Sequence, residues 1–230
     1  MRFMKEWIQK WSGSTELLVV LLVAFGGTVP RSVAALLSPQ SLALSASPPI
    51  TNRILQHAAV YEIAILTLLG LFLHARGWTL KRLGVQPSVR DSALGVAIFV
   101  GYYLLYAALF MGVASVWPRF LQIAESTHLV AQGLTWTTML TASTINPVFE
   151  EIFVCGYVIS ALKGRRGLTT AVNVSAGIRV SYHFYQGAVG VIGIAPMALL
   201  FAYWFARTGR LWPLIVAHAL QDFVGLVTFV

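Results

Sequence analysis

The chain has 230 residues, of which 57% are hydrophobic and only 10% are charged. A soluble domain contains about 25% charged residues, so this composition excludes a typical soluble protein and predicts an integral membrane protein embedded in lipid. The net charge of +8 agrees with Lys and Arg residues that flank membrane spans and contact anionic lipid. The sequence has no aromatic-basic patch and no phosphate-binding loop, so a nucleic-acid partner is not expected. The single cysteine, Cys155, excludes an internal disulfide.

Segments of roughly 20 mostly apolar residues are long enough to cross a bilayer as helices. The hydropathy pattern predicts seven such segments, at 15–37, 53–75, 91–117, 137–162, 168–187, 189–206 and 211–229. The stretch 118–136 is predicted to form an interfacial helix. We therefore predict an all-α polytopic membrane protein with seven or eight transmembrane helices in one membrane domain. This domain consists of N-terminal helices in 1–136 and a helical core in 137–230.

The positions of the Lys and Arg residues predict how the chain is oriented. The basic stretch 1–10 falls on the same side as the loops after the second, fourth and sixth predicted spans. Together these regions hold most of the 16 Lys and Arg residues. Cytoplasmic loops carry this excess. We therefore predict a cytoplasmic N-terminus and an outer C-terminus, in a bacterial inner (plasma) membrane, with the first apolar segment retained as a span.

One stretch, 146–156, places Glu150 and Glu151 side by side in an apolar segment. Acids inside a membrane usually face a cavity and usually have a function. Neighbouring helical residues point about 100° apart, so one acid is expected to face the cavity and the other to need a cation. Pro147 is expected to break the helix, so that Glu150 begins its rigid part. Glu62, within the second span, is a further acid that either lines the cavity or caps an interhelical network.

Two later stretches supply matching polar groups. Arg179 and His183 are four residues apart, as are His218 and Asp222, so each pair lies on one face of its helix. Three helices can therefore offer polar edges to a common centre. A carboxylate in a low-dielectric site suits a general base, a histidine can share the attacking water, and a second polar pair can stabilise an oxyanion. This combination is typical of peptide hydrolysis by activated water.

The three stretches resemble the motifs of the CPBP family of intramembrane endopeptidases, also called the Abi or type II CAAX prenyl protease-like family. The family's motifs are Glu-Glu-x-x-x-Arg, Phe-x-x-x-His and His-x-x-x-Asn/Asp, in this order on separate helices. In this chain they read Glu150-Glu151-Ile-Phe-Val-Cys155, Arg179-Val-Ser-Tyr-His183 and His218-Ala-Leu-Gln-Asp222. The resemblance covers about residues 137–230. It implies a catalytic cavity within the membrane, built by the last four helices.

The resemblance also implies a role for each matching residue. Glu150 would be the base that activates water, and His183 would hold the same water. His218 and Asp222 would form the oxyanion side. The family's mechanism is compatible with no cofactor, which we expect here because a His-Glu-x-x-His helix is absent from the sequence. Zinc is the alternative, and its ligands would be Glu150, His183 and His218.

This chain departs from the family pattern at two positions. Cys155 occupies the place of the motif's arginine, and Arg179 occupies the place of the phenylalanine in the second motif. We hypothesise that Arg179 crosses from the neighbouring helix to form a supporting ion pair with Glu151. The alternatives are that Arg179 binds a substrate carboxylate or that the enzyme is impaired. Cys155 itself is interpreted as a packing residue.

The sequence thus predicts an intramembrane endopeptidase that acts on a membrane-anchored or membrane-adjacent protein or peptide. CAAX-type processing and bacterial surface-protein or peptide processing both fit the resemblance. The alternatives are a proton-coupled transporter, in which Glu150, His183 and Asp222 form a relay, and a non-catalytic membrane scaffold or immunity protein. Transporters often contain internal inverted repeats, and the sequence shows none.

Overall fold

The computed structural model describes residues 10–37, 49–126 and 131–227. Within these residues the chain is 84% helical and contains no β-strand, which confirms the all-α prediction. Three parts of the sequence-based predictions lie outside the described residues. They are most of the basic N-terminal stretch (1–9), part of the predicted interfacial helix (127–130) and the end of the last predicted span (228 and 229).

The described residues form ten α-helices, together with a π-helical segment and a short 3-10 helix. The helices are α1 (Gly13–Phe25), α2 (Thr28–Leu37), α3 (Asn52–Ala75), α4 (Val89–Val116), α5 (Arg119–Ser126), α6 (Trp136–Glu150), α7 (Val158–Arg166), α8 (Leu168–Tyr182), α9 (Gly187–Thr208) and α10 (Trp212–Val227). The π-helical segment Glu151–Tyr157 joins α6 to α7, and the 3-10 helix Phe184–Gln186 joins α8 to α9.

Four helical stretches of the described residues are long and apolar enough to cross a membrane: α3, α4, the continuous stretch Trp136–Arg166, and Val189–Thr208. Helices α1 and α2 are bent by 59° at a short break, and they give a fifth span if the bent pair counts as one. With 15 and 16 residues, α8 and α10 are shorter than a full span. The protein is an integral membrane protein with four or five candidate spans in the described residues, and the predicted count of seven or eight is not confirmed.

The helix that carries the paired acids runs through Pro147 without interruption, so the predicted break at Pro147 is wrong. Proline removes one backbone donor, and neighbouring groups in a membrane helix can compensate for that loss. The irregularity comes a turn later, in the π-helical segment Glu151–Tyr157. The hydroxyl of Ser175 donates to the carbonyl of Val154 at 2.8 Å in this segment. Such π-helical turns are often found at functional sites.

Helices α3 and α6 begin side by side. The amide of Asn52 donates to the carbonyl of Gly133 at 2.7 Å, and the backbone N–H of Thr135 donates to the Asn52 side chain at 3.0 Å. One turn further on, the Gln56 side chain donates to the hydroxyl of Thr138 at 3.3 Å. The two helices therefore run in the same direction and in a fixed register.

At the other end of the π-helical segment, Glu16 of α1 anchors three elements. Its carboxylate accepts hydrogen bonds from the Trp78 indole at 2.9 Å and from the Tyr157 hydroxyl at 3.1 Å, and it pairs with the guanidinium of Arg76. Glu16 is buried, so these partners are needed to compensate for its lost hydration. The segment that carries the acids is thereby fixed to the N-terminal helices.

Candidate active site

The carboxylate of Glu151 lies at the centre of a buried cluster. The Nη2 of Arg179 donates to its Oε2 at 2.7 Å, and Nη1 lies 2.7 Å from its Oε1. The Nδ1 of His218 lies 2.7 Å from the same Oε1. Glu151 and Arg179 are both 0% exposed. The helix α6–α7, α8 and α10 are therefore held together at this one carboxylate.

The surroundings of Arg179 leave space for a long side chain from α8. The thiol of Cys155 lies 3.7 Å from its Nη2, and Cys155 is fully buried. The ring of Phe201, from α9, lies 5.6 Å from the Cζ of Arg179 and covers the guanidinium. Cys155 is small enough to leave room for the cation, and the aromatic face of Phe201 stabilises a desolvated guanidinium.

Glu150 has a different environment from its neighbour. Its Oε2 accepts a hydrogen bond from the hydroxyl of Tyr182 at 2.6 Å and lies 3.7 Å from the Nη1 of Arg179. The side chain is buried. Arg179 thus faces both acids, with the closer contact to Glu151. Glu150 keeps more of its acceptor capacity open than Glu151 does.

His183 follows directly after the last residue of α8 and is buried. Its Nδ1 lies 2.9 Å from the carbonyl oxygen of Arg179. A carbonyl only accepts, so Nδ1 carries the proton, and in the neutral ring Nε2 has a lone pair for another partner. The ring packs against Tyr182 and Tyr185, and the backbone N–H of Tyr185 donates to the Ser32 hydroxyl at 2.9 Å. Helix α2 therefore holds the turn after His183.

Asp222 lies one turn beyond His218 on α10. One of its oxygens is 3.5 Å from the Nε2 of His218, and the other accepts a hydrogen bond from the side chain of Asn146 at 3.0 Å. His218 is buried, whereas Asp222 is partly exposed. A polar chain therefore runs from Asn146 on α6 through Asp222 and His218 to Glu151.

The structure brings the predicted site residues into one cluster, but with partners that differ from the sequence-based grouping. From the sequence we predicted that His218 lies with Glu150, whereas the direct contact of His218 is with Glu151. Two further residues belong to the cluster and had no predicted role. Tyr182 precedes His183 and binds Glu150, and Asn146 lies one turn before Glu150 and binds Asp222. Their spacing from the motifs was the only sequence signal for them.

The zinc alternative does not fit these contacts. In the part of the chain that the structure describes, no group of three or more His, Cys, Asp or Glu side chains could hold a metal ion. Both ring nitrogens of His218 face carboxylates, those of Glu151 and Asp222. We therefore derive no step through a metal.

A comparison with protein families matches residues 132–224 to the family described as Type II CAAX prenyl endopeptidase Rce1-like. The match begins just before α6 and ends within α10, so it contains the whole cluster around Glu150 and Glu151. No curated protein and no solved structure matches the chain. The resemblance deduced from the three motifs is thereby confirmed over residues 132–224, which match the Rce1-like family model.

Proposed function

We propose that the protein is an intramembrane endopeptidase that hydrolyses a peptide bond with water activated by Glu150. The family match supports peptidase activity. The observation that carries the proposal is the unequal environment of the paired acids. Glu151 is occupied by Arg179 and His218, while Glu150 keeps acceptor capacity near His183. A general base needs such an available carboxylate.

The proposed reaction uses these groups in turn. A water molecule donates to the carboxylate of Glu150 and to the Nε2 of His183. Glu150 takes one proton as the water oxygen attacks the carbonyl carbon, and the carbonyl becomes an oxyanion. His218 donates from Nε2 to the oxyanion, and the charge of Asp222 favours a proton at that nitrogen. When the C–N bond breaks, the proton held by Glu150 passes to the leaving amine.

The pair of Glu151 and Arg179 has a supporting role in this proposal. Arg179 is fully buried and is held by Glu151, which argues against the alternative that it binds a substrate carboxylate. The pair fixes α8, and with it His183, against the helix that carries Glu150. Its role is to hold the catalytic groups in position, and the chemistry takes place at Glu150.

The substrate class and the orientation are parts of the same proposal. The family description supports CAAX-type processing of a membrane-anchored protein, and processing of bacterial surface proteins or peptides has the same chemistry. The distribution of Lys and Arg supports a cytoplasmic N-terminus, and a bacterial inner membrane is part of the proposal.

The test is hydrolysis by the purified full chain in proteoliposomes. Fluorescence-quenched farnesylated CAAX peptides serve as one substrate set, and membrane peptides from cells with and without the protein serve as the other. We expect turnover by the wild type, a loss of at least about 100-fold in Glu150→Gln, and little change in the exposed-residue control Arg207→Gln. Unchanged peptide processing in Glu150→Gln at equal expression would refute the proposal and favour the non-catalytic scaffold.

A further inference from the structure

Polar side chains line the boundary between α3 and α6, from the edge of the membrane domain towards the buried cluster. We propose that this boundary, which we call the α3–α6 seam, is the route by which the hydrolytic water reaches Glu150. The proposal rests on the proposed function, since water is the second substrate of peptide hydrolysis. The outer end of the α3–α6 seam is a cavity, and its inner end is Glu62.

A cavity of about 130 Å³ opens on the seam where the two helices begin. Its lining consists of one apolar residue and five polar ones: Leu55, Gln56, Thr135, Thr137, Thr138 and Thr141. A cavity needs about 10–15 Å³ to hold one water molecule, whereas sites for drug-sized ligands have about 300–1,000 Å³. The cavity is therefore suited to several water molecules and is too small for a peptide segment.

The register of the helices places Glu62 further along α3 than this cavity. Gln56 pairs with Thr138, which is 82 positions further along the chain. The same offset puts Glu62 level with Thr144, close in height to Asn146 of the cluster. Glu62 follows Gln56 by six residues, a rise of about 9 Å along α3. It therefore lies between the cavity and the cluster.

Glu62 lies on the packed face of α3. It is in helical register with Ala59, Leu69 and Leu73, which are buried against neighbouring helices. No hydrogen bond or ion pair joins Glu62 to another residue in the described parts of the chain. It interacts electrostatically with Glu150, His218 and Asp222, so it lies within reach of groups from α6 and α10.

A carboxyl group in this position requires solvent. Ionisable groups inside membranes face a partner or a water-filled cavity, and Glu62 has no direct cationic partner in the described residues. Water that enters along the seam hydrates Glu62 and continues to Glu150. Glu62 has no part in the hydrolytic mechanism, and a role in the water route accounts for its presence in the seam.

The chain provides a matched test by cysteine labelling, because its single cysteine, Cys155, is 0% exposed and is expected to be unreactive. Thr141→Cys places a thiol in the cavity wall, and Leu140→Cys places one at the neighbouring position; both positions are exposed, but only Thr141 lines the cavity. A charged methanethiosulfonate reagent reacts with ionised thiols in water. We expect Thr141→Cys in proteoliposomes to be labelled at least about tenfold faster, from the face where α3 and α6 begin.

A second pair of variants tests whether the route serves the reaction. Thr141→Phe fills the cavity, while Leu140→Phe adds the same ring outside it. We expect Thr141→Phe to lower kcat at least about tenfold with KM for the peptide unchanged, and Leu140→Phe to leave both unchanged. Equal labelling at positions 140 and 141, or full kcat in Thr141→Phe, would overturn the proposed route. Selective labelling without hydrolysis in the wild type would instead refute the proposed enzyme function, because labelling does not require turnover.

Discussion

Moving the buried cation from α8 to its family position tests how Glu151 is neutralised. Arg179→Phe restores the family's phenylalanine but removes both contacts of 2.7 Å between the guanidinium and Glu151. Cys155→Arg restores the family's arginine. The thiol of Cys155 lies 3.7 Å from the Nη2 of Arg179, so a side chain grown from position 155 reaches the same space. The double variant exchanges the two positions and keeps the charge.

The expected size of the effect follows from burial. Glu151 is fully buried, and breaking a buried ion pair by removing one partner costs about 3–5 kcal/mol. For a chain of this length, 1 kcal/mol shifts Tm by about 2–4 °C. Arg179→Phe should therefore lower Tm by about 6–20 °C. In Cys155→Arg alone two cations compete for one site, so that variant should also be destabilised. The double variant should recover at least half of the loss.

Thermal unfolding of the purified proteins in detergent measures these shifts, and hydrolysis in proteoliposomes measures the function. The exposed cation Arg207 provides the control, because Arg207→Leu should change stability by no more than about 0.5 kcal/mol. If the double variant is no more stable than the less stable single variant, the two positions do not share one role. If Arg179→Phe unfolds at the wild-type temperature and keeps full activity, Arg179 does not neutralise Glu151.

Substitutions at three further positions and one chelation test address other contacts. Tyr182→Phe removes the hydrogen bond to Glu150, and hydrogen bonds to charged groups contribute about 1.5–3 kcal/mol to stability, so Tm should fall by about 3–12 °C and kcat should fall at least about tenfold in a steady-state assay because the base is no longer held in place. Asp222→Asn, which the family motif permits, should keep measurable activity, whereas Asp222→Leu should abolish it; equal activities would exclude a polar role. Glu16→Gln weakens the contacts to Tyr157 and should lower Tm by several degrees, and an unchanged Tm would show that this anchor is dispensable. Excess zinc chelator should leave hydrolysis unchanged, because the described residues contain no group of three or more His, Cys, Asp or Glu side chains that could hold a metal ion; inhibition that added zinc reverses would require a metal mechanism.

The sequence predicted the all-α class and the region of the site because these depend on residue type and spacing. A carboxylate pair in an apolar helix is informative because such groups are rare in membranes. His218 and Asp222, four residues apart, indicated one helical face, and their ring-to-carboxylate separation of 3.5 Å agrees with that spacing. The family match from 132 to 224 covers the same part of the chain.

The backbone around Pro147 could not be predicted in the same way. A proline removes a backbone donor at a known position. The place where the backbone hydrogen bonds of the helix rearrange depends on the side chains that satisfy the freed groups. Here the helix continues through Pro147, and the wide turns follow from Glu151 onward. Ser175, on α8, provides the hydroxyl to the carbonyl of Val154. No pattern within the segment itself reveals that contact.

Contacts between helices could also not be predicted from the sequence. The periodicity places Tyr182 and Asn146 on helices, but only packing shows that Tyr182 binds Glu150 and that Asn146 binds Asp222. The number of spans depends on helix lengths in the same way. Helix α8 ends at Tyr182, several residues before the predicted end at 187, because a 3-10 turn follows. Hydropathy alone does not show where a helix stops.

The position of the cation also links assembly of the site to helix packing. When the arginine lies one turn after the acid on the same helix, the charge of the acid can be neutralised before any other helix docks. Here Arg179 is on α8, so Glu151 acquires its guanidinium partner only when α8 packs against the π-helical segment. A charged residue at the centre of a single membrane helix costs about 2.5–3.5 kcal/mol on insertion scales. Docking of α8 removes this cost and brings His183 to Glu150 in the same step, so an undocked α8 leaves the protein both destabilised and without its proposed catalytic pair.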